Sequence, residues 1–226
     1  MYDVDLHTHS RFFHSFAGQP TAFDKIGFQL NVAVARARDL DGIAVTNHDY
    51  FTSFGVDTSG IEIIPGVEIS TDEGHLLVVG PDPPARTQPG KLSPEDTVEL
   101  ANRRDCATVM AHPFRSGTVK DADISVDAVE VNGKHPQTAE LVEELARDRQ
   151  LPIVGGSDAH FPFEIGRVIT ELDANELTPE SVVNAIEDGR TDFQRVRRFP
   201  DQFTQILYGA VHKFRKMKNS TAQKSG

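Results

Sequence analysis

The chain has 226 residues, a single cysteine, 38% hydrophobic and 25% charged residues, and a formal net charge of −11. This composition is typical of a folded globular protein and excludes both a disordered chain and a disulfide-stabilised mini-protein. No apolar run reaches the roughly 18 to 20 residues that a membrane span needs, and the acidic start lacks the features of a secretory signal. We therefore expect a cytoplasmic protein without a membrane partner.

The charge is distributed unevenly along the chain. Residues 191–226 contain eight of the 23 Lys and Arg residues but only two of the 34 Asp and Glu residues, so the chain before them is strongly acidic. An acidic body repels nucleic acid in general, although a cluster of metal ions can attract phosphate locally. We expect no stable nucleic-acid binding, because no basic stripe with interleaved aromatic residues is present.

Short apolar runs alternate with helix-like segments, which predicts an α/β domain over residues 1–199 with a mainly parallel sheet or barrel. Helical spacing or helix start signals predict helices within 26–40 and 137–149, after Ser93-Pro94, and from Thr178-Pro179 to Gly189. The proline-rich segment 81–91 is predicted to be a surface loop. Seven runs are predicted to be strands: 2–6, 42–46, 61–64, 75–79, 107–111, 127–131 and 152–156.

The last segment has a different character. Residues 200–218 place six apolar side chains on one helical face and end in four Lys and Arg residues, which predicts an amphipathic helix. We expect it to dock on the domain, with binding to a membrane surface or a partner as alternatives. Residues 219–226 are predicted to be a disordered tail.

Histidines and carboxylates follow several of the predicted strands, where active sites of parallel α/β folds are assembled. His7 and His9 lie two residues apart at the end of the first strand, so both can grip one ion, although such a pair alone is a weak signal. A lone His75 in an apolar run would more often be a core residue. A buried Glu68 would need a charged partner, and a metal ion is a sufficient one. Cys106 precedes a strand and is predicted to be a packing residue.

As an ordered set, these motifs resemble those of the PHP (polymerase and histidinol phosphatase) family. The resemblance implies a distorted (β/α)7 TIM-like barrel, the PHP fold, with up to three divalent ions at the C-terminal face of the barrel. It covers residues 3 to about 167. The motifs that carry it are His7-x-His9, Thr46-Asn47-His48-Asp49, Gly66-Val67-Glu68, His75, Ala111-His112-Pro113 and Gly156-Ser157-Asp158-Ala159-His160.

The resemblance also implies which residues hold the ions. Glu68 would bridge two ions, and Asn47 replaces the aspartate that is usual in the family, which could change the orientation of His48. His14 stands where the family often has an aspartate. The implied sets are His7, His9, Glu68 and Asp158 for the first ion; Glu68, His75 and His112 for the second; and His14, His48 and His160 for the third.

Ligands of this kind, all imidazole and carboxylate, suit two to three Zn, Mn or Fe ions in a catalytic setting. The implied activity is hydrolysis of a small phosphate ester or nucleotide by a metal-activated hydroxide, with Glu68, Asp158 and His160 as the catalytic residues. Arg115 and Arg167 are placed to hold phosphate. Lys134 and His135 could line the same pocket or belong to a solvated loop.

Several alternatives stay open. Histidinol phosphatase is the other candidate activity within the family, and the short stretch between His75 and His112 favours a small substrate over long nucleic acid. An amidohydrolase-like enzyme also builds its metal site in a barrel, and a non-catalytic metal-binding PHP module is a further possibility. The sequence leaves the substrate, the metal and the oligomeric state open.

Overall fold

The computed structural model describes residues 1–11, 21–115 and 117–196. Within these ranges the chain forms nine strands and four α-helices. The helices are α1 (Ala22–Ala37), α2 (Pro94–Asn102), α3 (Ala139–Arg149) and α4 (Pro179–Glu187). The strands are β1 (Tyr2–Thr8), β2 (Gly42–Val45), β3 (Glu62–Ser70), β4 (His75–Val79), β5 (Ala107–Met110), β6 (Ala128–Asn132), β7 (Ile153–Gly156), β8 (Val168–Leu172) and β9 (Thr191–Arg195).

The helix start signals act as expected. The Ser93 side chain accepts a hydrogen bond from the Asp96 backbone N–H at 3.1 Å, with Pro94 at the first helical position. Thr178 and Ser181 cap the start of α4 reciprocally, so two backbone N–H groups that lack a helical partner are satisfied. Segment 81–91 contains no helix or strand, as predicted for a surface loop.

The strands form one sheet in the order β7-β6-β5-β4-β3-β2-β1-β8-β9. The sheet nearly closes on itself, because the segment after β7 pairs with the end of β1: the His9 N–H donates to the Ala159 carbonyl at 2.8 Å. The architecture is therefore mixed α/β with a barrel-like sheet.

The sheet differs from the sequence prediction in two ways. All seven predicted strands form, but β8 and β9 are additional. Of the eight strand pairings in the described chain, four are antiparallel, so the sheet is not mainly parallel. One cause is local: only residues 71–74 join β3 to β4, a connection too short for the crossover that parallel strands need.

Apolar side chains fill the space between the sheet and the helices. The largest cluster includes Leu6, Ile64 and Leu77 from the sheet with Val182 and Ile186 from α4. Cys106 is buried in a smaller cluster with Val67 and Ile69, in agreement with its predicted packing role. These packed clusters hold the strands in place, and the strands in turn fix the positions of the polar residues at their ends.

The chain divides into two units, Met1–Val196 and Arg197–Gly226. The second unit lies outside the described residues, and with it the predicted helix 200–218 and tail 219–226. No helix of the described residues is both long and apolar enough to cross a bilayer.

Candidate metal centre

The structure brings together eight of the nine predicted metal ligands; the ninth, His14, lies outside the described residues. They come from separate parts of the chain and meet at one end of the sheet. His7 and His9 are at the end of β1, His48 follows β2, Glu68 lies in β3, His75 opens β4, His112 follows β5, and Asp158 and His160 follow β7.

Glu68 lies at the centre of this group, with its side chain 1% exposed. Its Oε1 lies 2.6 Å from His75 Nδ1 and 3.0 Å from His112 Nε2. Its Oε2 lies 3.2 Å from His7 Nε2, 3.3 Å from His9 Nε2 and 3.1 Å from His48 Nδ1. The two oxygens therefore face two different sets of imidazoles.

The electrostatics of Glu68 follow from these neighbours. Burial alone would raise the pKa of the Glu68 carboxyl, but the imidazoles of His48, His7 and His75 hold it well below its usual value. Burial would likewise lower the pKa of His7, yet the carboxylates of Glu130, Glu68 and Asp158 raise it well above the ordinary value. Glu68 is thus ionised, and its neighbours compensate its charge.

Asp158 is the second buried carboxylate, and its surroundings differ. Its Oδ1 lies 3.1 Å from His160 Nδ1, 3.4 Å from His9 Nε2 and 3.2 Å from Lys134 Nζ. Burial would raise the pKa of Asp158, but Lys134, His160 and His7 hold it well below the usual value. Burial lowers the pKa of His160 well below the ordinary value, and His9 and Lys134 add to the effect.

These contacts define sets of ligand atoms close enough to share an ion. Three sets have all their ligand atoms within 4.8 Å of one another: His7, His9 and Asp158; His48, Glu68 and His75; and His9, His48 and His160. The Nε2 atoms of His7 and His9 lie only 3.2 Å apart, and a cation would use the lone pairs that both can offer. The residues present therefore fit divalent metal ions.

Glu130 is a member of the site that the sequence analysis missed. It is 1% exposed in β6, and its Oε1 lies 2.7 Å from His7 Nδ1, while its Oε2 accepts from the His112 backbone N–H at 2.8 Å. His7 Nδ1 donates to the Glu130 carboxylate, which leaves Nε2, on the side of Glu68 and Asp158, as the atom that can bind an ion once it has lost its proton. Glu130 lies in an apolar strand run, and that signal could have revealed it.

A glycine makes this contact possible. A Cβ at Gly156 would collide with Glu130 Oε1 and with the Cβ of His7. The close approach of β7 to β1 and β6 therefore requires glycine at this position.

The backbone also carries strain where the ligands sit. His112 has φ of 30° and Asp158 has φ of 52°, in the left-handed region that residues with a Cβ rarely adopt. Such conformations persist where the surrounding structure fixes them, and they concentrate at functional sites.

Asn47, which stands where the family usually has aspartate, bonds to the loop after β1. Its Oδ1 accepts from the Ser10 N–H at 3.0 Å, and its Nδ2 donates to Ser10 Oγ at 2.8 Å. The neighbouring asparagine thus ties the His48 loop to the chain that follows His9.

The predicted phosphate-binding arginines lie in different environments. Arg115 is 40% exposed, and its Nη1 lies 3.5 Å from Asp158 Oδ2. Arg167 is 7% exposed and donates to Glu164 Oε1 at 3.1 Å. Since Glu164 Oε2 accepts from the His160 N–H at 2.8 Å, Arg167 supports the loop that carries His160.

Comparisons with known proteins place this site in context. The family model of the PHP-associated segment, PHP_C, matches residues 136–191. The resemblance to the PHP family is confirmed. A search of the curated proteins gives no significant match to the sequence.

Three solved structures share the PHP-like fold at low sequence identity. PsfC from Pseudomonas syringae is 20% identical with a TM-score of 0.73, over 93% of this chain and 98% of PsfC. A two-domain protein from Bacteroides vulgatus, containing a predicted PHP-like metal-dependent phosphoesterase, is 22% identical with a TM-score of 0.58, over 86% of this chain and 64% of that chain. The lesion-specific endonuclease PfuEndoQ from Pyrococcus furiosus is 18% identical with a TM-score of 0.59, over 83% of this chain and 56% of that chain.

The chain thus spans less than two thirds of the last two proteins.

Proposed function

We propose that the chain is a metal-dependent phosphoesterase. The observation that carries the proposal is the position of Glu68: a buried carboxylate whose two oxygens face separate sets of imidazoles, as a bridge between two ions requires. The PHP-associated segment and the PHP-like fold support the same activity.

The proposed ligands are those that the resemblance to the PHP family implies, and all of them except His14 lie within the described residues. His7, His9, Glu68 and Asp158 would hold one ion; Glu68, His75 and His112 a second; and His48 and His160, with His14, a third. Zn, Mn and Fe suit this set of nitrogen and oxygen donors. Divalent ions bound there would supply water activated for attack near neutral pH and would offset negative charge on the phosphate.

The side chains around the ligands have their own roles. Glu130 keeps the proton of His7 on Nδ1, and Glu68 and Asp158 supply negative charge at the centre. With its pKa well below the ordinary value, His160 is neutral near pH 7, so it can coordinate an ion without first losing a proton. Arg115 is exposed enough to contact phosphate, whereas the guanidinium of Arg167 is buried against Glu164.

The proposed substrate is a small phosphate ester or a nucleotide. The connection between β4 and β5 consists of a loop and the short helix α2, so it adds no large structure over the site. Histidinol phosphatase activity remains the alternative within the family. PfuEndoQ is an endonuclease by name. An oligonucleotide among the assay substrates therefore tests the expectation of no stable nucleic-acid binding.

The non-catalytic module is less well supported, because every ligand position in the described ranges is filled by a residue that can coordinate. An amidohydrolase-like enzyme would use similar ligands, and only the bond cleaved separates it from a phosphoesterase.

The deciding experiment is metal analysis by mass spectrometry, combined with hydrolysis assays before and after chelation. The substrates are p-nitrophenyl phosphate, bis-p-nitrophenyl phosphate, an acyl amide and a single-stranded oligonucleotide. We expect two to three ions per chain and phosphoester hydrolysis that stops on chelation and returns with Mn or Zn. Less than one ion per chain and no turnover with added metal would refute the proposal; amide cleavage alone would favour the amidohydrolase.

A further inference from the structure

Lys134 lies beside the candidate metal centre, at a position fixed by the end of β6. Its backbone N–H donates to Asn132 Oδ1 at 2.9 Å, and Asn132 Nδ2 donates to Glu130 Oε2 at 3.0 Å. A Cβ at Gly133 would approach the Ser157 backbone to 3.0 Å, so the chain before Lys134 is held against the segment that carries Asp158. The position of Lys134 is therefore tied to Glu130 and to the segment that carries Asp158.

The ammonium group of Lys134 is directed at the ligands themselves. Nζ lies 3.2 Å from Asp158 Oδ1, hydrogen-bonds with His160 Nδ1, and belongs to a side chain that is 11% exposed. Arg115 approaches the other oxygen of the same carboxylate, with Nη1 3.5 Å from Oδ2. Two basic side chains therefore share one carboxylate, each on its own oxygen.

This arrangement changes once Asp158 coordinates a divalent ion. The ion then neutralises part of the carboxylate charge, and it repels the protonated Lys134 and Arg115 side chains, which offer no lone pair to a metal. Both cations thereby lose part of their counterion. Under the proposed function, the phosphate of the substrate is the anion that reaches this position.

We propose that Lys134 and Arg115 form a two-cation clamp that binds the terminal phosphate of a phosphomonoester. The inference rests on the proposed function and narrows its substrate class. A phosphomonoester carries a charge of about −1.5 to −2 near pH 7, whereas a diester carries a single negative charge. Two cations beside the metal ions match the more highly charged group, so the clamp selects monoesters.

A purely structural role for Lys134 has different consequences. If Lys134 serves only as the counterion of Asp158, its removal lowers the melting temperature of the metal-free protein and leaves phosphate binding unchanged. If it serves as a clamp, its removal weakens phosphate binding to the metal-loaded protein and leaves the metal content equal or higher.

The test uses the full chain and the variant Lys134→Met, which keeps most of the length of the side chain and removes its charge. Lys134→Arg tests rescue by another cation, and Lys91→Met, at an exposed lysine outside the site, is the matched control. Binding of inorganic phosphate to the Mn-loaded protein is measured by calorimetry, metal content by mass spectrometry, and KM with p-nitrophenyl phosphate and bis-p-nitrophenyl phosphate.

For Lys134→Met we expect phosphate affinity to fall and the monoester KM to rise by about tenfold or more, as for loss of one charge-assisted hydrogen bond. The KM for the diester should change by less than about threefold, because its single negative charge interacts less strongly with the lysine that is removed. Arg115→Met should show the same selectivity, Lys134→Arg should recover part of the affinity, and Lys91→Met should behave as the native protein.

Unchanged phosphate affinity in Lys134→Met, while the native protein hydrolyses monoesters, would overturn the clamp alone. An equal loss for both esters would overturn the assignment to monoesters. A native protein that binds metal but neither binds phosphate nor cleaves an ester would overturn the proposed function, and the clamp with it.

Discussion

Two buried carboxylates of the site, Glu68 and Asp158, have contrasting partners. Among the described residues, the ion pairs of Glu68 are all with histidines, whereas Asp158 also pairs with Lys134 and Arg115. A neutral imidazole offers a lone pair to a metal ion, whereas a protonated lysine or arginine side chain offers none. Under the proposed function, the Glu68 side would hold metal ions, and the Asp158 side would also face the phosphate.

The largest expected effect tests the bridging position. Glu68→Gln keeps the size of the side chain but removes its charge, and both sets of imidazoles lose their shared anion. We expect metal content to fall in both sets and turnover to drop by at least about 100- to 1,000-fold, as when one stabilising group is removed from an active site. Mass spectrometry and a phosphomonoester assay measure the two effects.

The control for this variant is Glu62→Gln, at the start of the same strand and outside the site. Asp158→Asn sharpens the contrast, because it should reduce occupancy of the His7, His9 and Asp158 set while ions at Glu68, His75 and His112 remain. Native metal content in Glu68→Gln would show that Glu68 does not bridge two ions.

A smaller effect is expected at Glu130, which supports the Glu68 side without facing an ion. Glu130→Gln weakens the hold on the His7 Nδ1 proton, because an amide can also present its NH2 group to the ring. We expect metal affinity to fall by about 10- to 100-fold, as for other residues that orient a metal ligand. Affinity is measured by competition with a metal-binding dye, and Glu99→Gln, on the exposed face of α2, serves as the control. Equal affinities in the two variants would contradict the orienting role.

The most gradual expected effect is a pH dependence of metal binding. Burial lowers the pKa of His7 and of His75. The neighbouring carboxylates outweigh burial: they raise the pKa of His7 well above the ordinary value, and Glu68 raises the pKa of His75. Both imidazoles therefore keep their protons to higher pH than an ordinary histidine, and binding an ion must release them. Affinity should rise with pH above about 6.5, by up to about tenfold per pH unit for each imidazole still protonated.

The measurement is the dissociation constant for Mn between pH 6 and 8.5, with the same dye. An affinity that does not change with pH over this range would show that His7 and His75 are already deprotonated in the metal-free protein.

The predictability of the fold differed between its elements. Apolar runs and helix caps located seven strands and four helices, because burial and capping leave local patterns in the sequence. β9 was missed because its residues, Thr191–Arg195, are only half-buried or exposed and show no apolar run. The antiparallel pairing of β1 with β8 was also missed, because a strand's own pattern does not record the direction of its partner.

The sequence by itself determined the kinds of atoms available to the site: imidazoles and carboxylates placed at the ends of strands, with an order along the chain that resembles the PHP family. Only the tertiary structure decided how those residues divide between two carboxylates. Glu130 lies far along the chain from His7, and Lys134 lies 24 residues before Asp158. The pairing of β6 with β7 and the closing of the sheet bring each residue to its partner. Hydrogen bonds and ion pairs act over a few ångströms in space, and distances of that kind are set by the closing of the sheet.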